Sequence, residues 1–459
     1  MFLPRYSLYF LLIFTPLAIG SVQGWAISVI HFVSMFALTV FLFKKSLAWS
    51  WEWIKTPLDK PILVLLILTI LATVFSVHKY TSIWSFILLL NYAIIFYLII
   101  HTVRTRSQFR QLVYLIIGIA ALISIIGLLK NFCGNPFPWW DYTDFQKKAS
   151  DRLSSTFGNA DHLAGYMEMT IPLLLGLLLT GFRGMKLFLV IVLAVLLFIA
   201  LVLSLSRGGW FGALTGLFFM SVALLFNPYF QSKRLILTLV CGFFVVAFIV
   251  LSSTPVVERI RTLAQNNKIS IIESRVSRWK GTIAMIKDHP ILGAGPGTFA
   301  TVFTQYQPPG HANRSFFAHN DYLHFISETG LALVPVMAWM IIALFVRGFK
   351  KLNNPSRLVR GVTVGAMSGI TAILVHSTSD FNLHIPANAL LFTVLAAIVV
   401  SPIPATEGRR QRAGSSEVQK VRRLEGRGQK SEYRNQRTGS LEDKKVRRSE
   451  DRGQITDNL

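Results

Sequence analysis

LFLVIVLAVLLFIALVLSL, residues 187–205, is an apolar run without a single charged side chain. About 20 such residues in a helix cross the hydrocarbon core of a bilayer. The chain holds further runs of this kind, and together they predict an all-α, polytopic membrane protein with about twelve transmembrane helices. The other runs are Leu8–Val22, Trp25–Phe43, Pro61–Val77, Ser82–Ile100, Leu112–Leu129, Leu163–Thr180, Gly209–Phe226, Leu235–Ser252, Leu331–Phe349, Gly361–Val375 and Ala387–Ser401.

Composition supports a membrane location. Hydrophobic residues make up 53% of the 459 residues, and charged residues make up only 15%, whereas soluble domains carry about 25% charged residues. The formal net charge of +24 would suggest nucleic acid in a soluble protein. In a membrane protein it is typical of the positive-inside bias and of contact with anionic lipids, so we expect membrane lipids and no nucleic acid as partners.

Basic residues between the apolar runs fall in alternate loops. Under the positive-inside rule, this places those loops and both termini in the cytoplasm. The basic loop residues are Arg5, Lys44, Lys45, Lys55, Lys60, Arg104, Arg106, Arg110, Arg183, Lys186, Lys233, Arg234, Arg347, Lys350, Lys351, Arg357 and Arg360. The longer polar loops, about 131–161 and 253–330, are then predicted outside the cytoplasm, together with the short link 376–386.

The last segment, 402–459, differs from the membrane domain predicted over 1–401. It is rich in Arg, Lys, Glu, Gly and Gln and contains a near repeat, VRRLEGRGQ at Val421 and VRRSEDRGQ at Val446. Such a composition cannot bury a core, which predicts a disordered, basic cytoplasmic tail. The tail either tethers the protein to anionic lipid or a partner, or is simply solvated.

Three arginines are predicted on the outer side of the membrane. Arg207 follows LVLSLS at a junction between two runs. Arg275 and Arg278 lie in a segment that is predicted to form an amphipathic helix at the membrane face, because four apolar residues recur at helical spacing: Val276, Trp279, Ile283 and Ile286. Guanidinium binds phosphate in a bidentate manner, so a phosphate-bearing ligand is one reading. The alternatives are snorkelling to lipid headgroups for Arg207 and interfacial anchoring for the other two.

His319 precedes a predicted short helix in AHNDYLHFISETG, which Asn320 or Asp321 caps. The positive end of that helix disfavours imidazolium, so the ring is expected to be neutral and able to accept a proton. Asp321, His324 and Glu328 share one face of the helix and could orient reacting groups. A structural histidine bonded to backbone is the alternative.

A second polar cluster, HSTSDFNLHIPAN, lies at the outer end of another span and contains His376, Asp380, Asn382 and His384. Ionisable residues in such a place indicate a functional site, although helix capping explains them equally well. Upstream, FGNADHLAGYMEM supplies Asp161 and His162 with the same ambiguity.

Over roughly residues 150–400 the chain resembles the O-antigen ligase and O-antigen polymerase superfamily. The pieces that carry the resemblance are STFGNADHLAGYMEM, LSLSRGGW, RVSRWKGTIAMIKDHPILGAGPGTF, AHNDYLHFISETG and DFNLHIPANALLF. The ligase pattern of His, ten residues, then Gly is met by His319 and Gly330. The pattern of Arg, three residues, then Leu is met only in part, because Arg207 is followed by Phe211. Arg275 corresponds best to the family's second periplasmic arginine, and Arg278 is its competitor.

The resemblance implies a glycosyltransferase of the bacterial inner membrane with a periplasmic active site. Its donor would be an undecaprenyl-diphosphate-linked glycan, and its acceptor lipid A–core (ligase), a growing glycan (polymerase) or a protein hydroxyl. It would use no metal and no cofactor, with His319 as general base and Arg207 and Arg275 on the diphosphate. A non-enzyme alternative is an anion transporter of the bicarbonate type. Further substrate-binding residues are expected at Arg278, Asn320, Asp321, His324, Glu328, Asp380, Asn382 and His384.

Overall fold

The structure is a computed structural model that describes residues 2–48, 52–133, 152–227, 229–230, 268–307 and 314–402, with isolated positions between 234 and 245. The chain divides into two units, residues 1–104 with 108–403, and residues 105–107 with 404–459. In the second unit only residues 105–107 are described. The predicted tail, 402–459, therefore lies outside the described residues after position 402.

The described elements are helical. In chain order the α-helices are α1 (Phe2–Leu17), α2 (Gly24–Leu47), α3 (Asp59–Val74), α4 (Lys79–Thr102), α5 (Arg106–Phe132), α6 (Ala160–Leu178), α7 (Gly184–Leu203), α8 (Arg207–Phe226), α9 (Lys268–Asp288), α10 (Phe299–Val302), α11 (Asp321–Thr329), α12 (Leu333–Leu352), α13 (Arg357–His376) and α14 (Pro386–Val400). Short 3₁₀ turns cover Ile19–Ser21, Ser155–Phe157, Phe303–Gln305 and Asn382–His384.

These helices confirm the predicted all-α, multi-pass membrane fold. Among the described residues, seven helices are long and apolar enough to cross a bilayer: α2, α4, α5, α7, α8, α12 and α13. The shorter helices α1 and α14 are also apolar. The predicted run 235–252 lies largely outside the described residues, so the number twelve stays a prediction.

Helix α13 is the centre of the fold, and glycines let α6 approach it closely. Gly361, Gly365 and Gly369 recur every four residues along one side of α13. A Cβ on Gly365 would lie 2.5 Å from the carbonyl oxygen of Pro172, and one on Gly369 would lie 2.5 Å from that of Met169. Small residues at this spacing allow backbones to touch in membranes, where packing rather than hydrophobicity drives helix association.

Helix α8 packs on α13 through a second glycine series. A Cβ on Gly212 would lie 2.8 Å from the carbonyl oxygen of Ala372, and one on Gly216 would lie 2.5 Å from that of Ser368. Both α6 and α8 run antiparallel to α13, because rising numbers in either helix meet falling numbers in α13. The first residues of α6 and α8 and the last residues of α13 therefore meet at one end of the helices.

We expect a bulky side chain at Gly365 to separate α6 from α13. Gly365→Leu should lower the stability of the purified protein by about 1–3 kcal/mol or more, as overpacking does, and this is measurable as a lower melting temperature in detergent. Gly118→Leu is the matched control, because a Cβ there meets nothing within 4 Å. Equal melting temperatures for the two variants would contradict the close contact.

Candidate functional site

His319 and Asp380 form a hydrogen-bonded pair where α11 begins. Nδ1 of His319 donates to Oδ1 of Asp380 at 3.2 Å. The ring of His319 lies edge-on to Phe381 with 4.9 Å between centroids, and its side chain is 27% exposed. Its backbone has a φ of 53°, a conformation that non-glycine residues rarely adopt and that recurs at functional sites. The ring is thus fixed on one side and reachable on the other.

Asp380 is buried and ionised. Its Oδ1 also accepts the N–H of Phe381 at 2.9 Å. Burial opposes ionisation, but the hydrogen bond from His319 and the fields of His376 and His162 outweigh it and lower the pKa of Asp380 to about 2. The carboxylate is therefore charged at neutral pH and accepts the hydrogen bond from Nδ1 of His319.

Asp321 fastens the start of α11 to the segment that carries Asp380. Its carboxylate accepts from Ser377 Oγ at 2.8 Å, from Leu383 N–H at 3.0 Å and from His384 Nδ1 at 2.5 Å. Its backbone N–H donates to the carbonyl oxygens of Ser377 and Asp380. The side chain is buried, so it faces protein rather than an open cleft.

Asn320 caps α11, as predicted. Its Oδ1 accepts the N–H of Leu323 at 3.0 Å, and its Nδ2 donates to the carbonyl oxygen of Thr378 at 2.9 Å. Asn382 lies deeper: it is buried, and its Oδ1 accepts from Asn388 Nδ2 at 3.1 Å. The Asn320 amide therefore ties two backbone segments together, whereas the Asn382 amide bonds another buried side chain.

Glu328 holds the glycine-rich loop between α9 and α10. Its carboxylate accepts from Gly297 N–H at 2.8 Å, from Phe299 N–H at 3.0 Å and from His324 Nε2 at 3.3 Å. Burial opposes its ionisation, but His324, His384 and the Gly297 N–H hold the pKa of Glu328 below its usual range. Gly297 has a φ of 73°, which glycine adopts without strain. The sequence LGAGPGTF thus forms a turn that a buried carboxylate holds.

His324, Glu328 and His384 come close enough to raise the question of a metal ion, since their ligand atoms lie within 4.8 Å of one another. The N–H of Ala318 points to Nδ1 of His324 at 3.4 Å, so the ring proton belongs on Nε2, where it is donated to Glu328. Burial and His384 lower the pKa of His324, so the ring holds a single proton. A protonated Nε2 cannot ligate a cation, and these residues fit a hydrogen-bonded network better than a metal site.

Helix α9 carries Arg275 and Arg278, and Arg278 lies in the electrostatic field of Asp380. Trp279 anchors the helix, because its Nε1 donates to the carbonyl oxygen of Ala318 at 3.1 Å. Burial and the neighbouring Arg275 lower the pKa of Arg278, while Asp380 raises it, so Arg278 lies in the fields of both. The apolar face predicted for α9 is only partly covered, since Ile286 is buried but Val276 is exposed.

Arg207 is the exposed first residue of α8. Ser206 caps the helix by accepting the N–H of Gly209 at 3.2 Å. A Cβ on Gly208 would lie 2.6 Å from Nε2 of His376, so the start of α8 rests on the end of α13, four residues from Asp380. Within the described residues, no hydrogen bond or ion pair joins Arg207 to His319 or to Arg275.

Two ion pairs beside the site were not foreseen from the sequence. Glu168 and His376, both fully buried, pair at 3.0 Å between α6 and α13. Arg152 pairs with Asp161 at 2.6 Å beside the start of α8. A lone glutamate within an apolar run was the signal for the first, because ionisable groups in membrane helices are costly and usually have a partner. Arg152 carried no such signal.

The fold and this cluster define a multi-pass helical membrane protein with histidine, carboxylate and arginine side chains gathered at one end of its central helices. The sequence model of one family, described as O-antigen ligase, matches residues 192–336. The match covers Arg207, Arg275, Arg278 and the segment from His319 to Gly330. It supports the O-antigen ligase superfamily, whose members are glycosyltransferase-like ligases and polymerases, as the family of this chain. No curated protein matches the chain.

Proposed function

We propose that this protein transfers a glycan from an undecaprenyl-diphosphate carrier to a hydroxyl acceptor at the periplasmic face of the inner membrane. The observation that carries the proposal is the hydrogen bond between His319 Nδ1 and Asp380 Oδ1, with Arg278 of α9 in the field of the same carboxylate. The family match supports the general reaction class. The clustering of these groups supports the site, because a base and cations are what this transfer requires.

In the proposed mechanism His319 is the general base. Asp380 accepts a hydrogen bond from the protonated Nδ1. This favours the tautomer in which Nε2 is unprotonated and available. The acceptor oxygen attacks the anomeric carbon of the donor sugar and forms the new C–O bond. The bond from that carbon to the phosphate oxygen breaks, the diphosphate leaves with the electron pair, and Nε2 takes the hydroxyl proton. Attack opposite the leaving group inverts the anomeric configuration.

Arg207 and Arg275 are proposed to bind the diphosphate. Each is at least partly exposed, and a guanidinium stabilises the charge that develops on a leaving phosphate. Arg278 is the less available of the two α9 arginines, because it lies in the field of Asp380. We assign Arg278 to holding α9 against the base and Arg275 to the substrate.

The remaining predicted residues are proposed to position the site rather than to contact the substrate. Asp321, His324 and Glu328 are buried and bonded within the protein. Asn382 is also buried and bonded within the protein. His384 is half-buried, and its Nδ1 is bonded to Asp321. Their role would be to fix the two segments that meet at His319.

Reconstitution in lipid vesicles tests the proposal. The purified protein is supplied with a polyprenyl-diphosphate glycan and, in separate reactions, with lipid A–core, with the same glycan alone and with a serine-containing peptide. Products are identified by mass spectrometry. A product with lipid A–core indicates a ligase, a lengthened glycan a polymerase, and a glycopeptide a protein transferase. Absence of every product, together with bicarbonate uptake by the vesicles, would overturn the proposal in favour of transport.

Arg207→Lys should impair transfer although the charge is kept. Lysine presents a point charge and lacks the planar fork that binds two phosphate oxygens at once. We expect kcat/KM for the donor to fall roughly 10- to 100-fold, less than the roughly 10²–10³-fold that complete loss of a charge-stabilising donor causes. Arg183→Lys, at the start of α7, is the control. Wild-type kinetics for the Arg207 variant would indicate that this arginine only contacts lipid headgroups.

A further inference from the structure

We infer that Arg152 is a positioning residue for Arg207 and that it sets the place of one diphosphate-binding guanidinium. The inference rests on the proposed function, in which Arg207 binds the donor. Arg152 lies before α6 in the chain and is distant in sequence from Arg207. Its side chain nevertheless reaches the turn between α7 and α8, from which Arg207 emerges.

Two hydrogen bonds from Arg152 define the contact. Nε donates to the carbonyl oxygen of Ser204 at 2.9 Å, and Nη2 donates to Oδ1 of Asp161 at 2.6 Å. The N–H of the next residue, Leu153, donates to the carbonyl oxygen of Leu203 at 2.9 Å. One short segment thus holds the last carbonyl groups of α7, three and four residues before Arg207.

The turn needs such support because its backbone is strained. Leu205, between Ser204 and Ser206, has a φ of 48°, in the left-handed region that is unfavourable for a residue other than glycine. On the far side, Trp210 Nε1 donates to the carbonyl oxygen of Leu201 at 3.0 Å. Hydrogen bonds from Arg152 and Trp210 therefore hold the turn from two sides. Removing either one should allow the strained backbone to relax.

Asp161 connects the Arg152 side chain to the start of α6. It is the second residue of α6, and its N–H is bonded to Oδ1 of Asn159, the cap of that helix. Asp161 is therefore fixed by α6, and a rigid guanidinium fork joins it to Ser204. Through Arg152, the start of α6 fixes the start of α8, the same two helix ends that pack against α13 beside the base.

A mutant cycle distinguishes positioning from direct phosphate binding. Arg152→Ala, Arg207→Ala and the double variant are compared in the reconstituted transfer assay. Arg152→Ala should lower kcat/KM for the donor roughly 10- to 100-fold, as displacement of a binding group by about 1 Å does, and should leave the acceptor KM unchanged. In the Arg207→Ala background the same substitution should cost less than about twofold. Arg152→Lys, which can reach only one of the two acceptors, should restore part of the activity.

Arg314→Ala is the matched control. Arg314 makes the same kinds of bond, Nε to the Ala300 carbonyl oxygen at 2.6 Å and Nη2 to Thr301 Oγ1 at 3.1 Å, but it holds α10 instead. Its removal should leave the donor KM unchanged. Should Arg152→Ala fail to reach the membrane folded, Asp161→Asn, which keeps the bond to Ser204, should give a smaller loss of the same kind.

The outcomes separate this inference from the proposed function. Additive losses in the double variant would show that Arg152 acts independently of Arg207 and would overturn the inference. An equal loss for Arg314→Ala would do the same by showing general loosening. Wild-type transfer by Arg207→Ala would instead remove the diphosphate role on which the inference depends.

Discussion

His319→Ala should abolish glycan transfer while the protein still inserts into the membrane and folds. A general base contributes roughly 10²–10⁴-fold to such a reaction, and alanine leaves nothing at this position to take the hydroxyl proton. The loss should appear in kcat, because the guanidinium groups proposed to bind the donor remain. The measurement is single-turnover transfer in vesicles, with donor binding followed separately by isothermal titration.

His289→Ala is the control for the preceding variant. His289 directly follows α9, next to Pro290 in the same predicted outer segment. Its removal should change transfer less than about twofold, as expected for a surface change outside the site. Normal transfer by a well-folded His319→Ala protein would exclude the base role. Equal losses for both histidines would point to a disturbed segment rather than to catalysis.

The apolar runs predicted the helices well where lipid surrounds them and less distinctly where protein does. Helix α7 is only 22% buried in its most apolar stretch, and its sequence is almost pure Leu, Val, Ile, Phe and Ala. Helix α13 is 78% buried, and glycines, serines and threonines interrupt its apolar residues because its neighbours are helices. Hydropathy measures compatibility with lipid, so it is weakest at the centre of such a fold.

In the candidate site, too, the sequence predicts some features and not others. The capping of α11 by Asn320 and the shared face of Asp321, His324 and Glu328 follow from helical spacing, and the structure has both. The side-chain partner of Asp321 on His384 and the backbone partner of Glu328 on Gly297 lie about 60 and 30 positions away in sequence. Their pairing depends on how helices are placed in space, which periodicity does not encode. Residue types and spacing alone therefore could not decide whether these side chains contact substrate or bond within the protein.

The pairing of Asp380 with His319 leads to the second large expected effect. Asp380→Asn keeps the size of the side chain but replaces an acceptor by an amide that can donate to Nδ1. The ring would then carry its proton on Nε2, where the acceptor hydroxyl must bind, and could no longer act as the base. We expect kcat to fall roughly 10²–10⁴-fold, as loss of the correct tautomer does in serine proteases. Asp288→Asn is the control, because Asp288 is an exposed carboxylate bonded to Tyr306 in the same outer segment.

The dependence on pH separates this electrostatic role from simple packing. The pKa of Asp380 is lowered from 3.8 to about 2, so the folded state binds the proton less readily than the unfolded chain. Its stabilising contribution, about 2 kcal/mol, is then complete above about pH 4 and is lost as the pH falls from 4 towards 2. Asp380→Asn should melt at a lower temperature than wild type at pH 6, and the difference should shrink below pH 4. If the difference were the same at pH 6 and pH 3, the carboxylate would not be acting as a charge, and the orienting role assigned to it would fail.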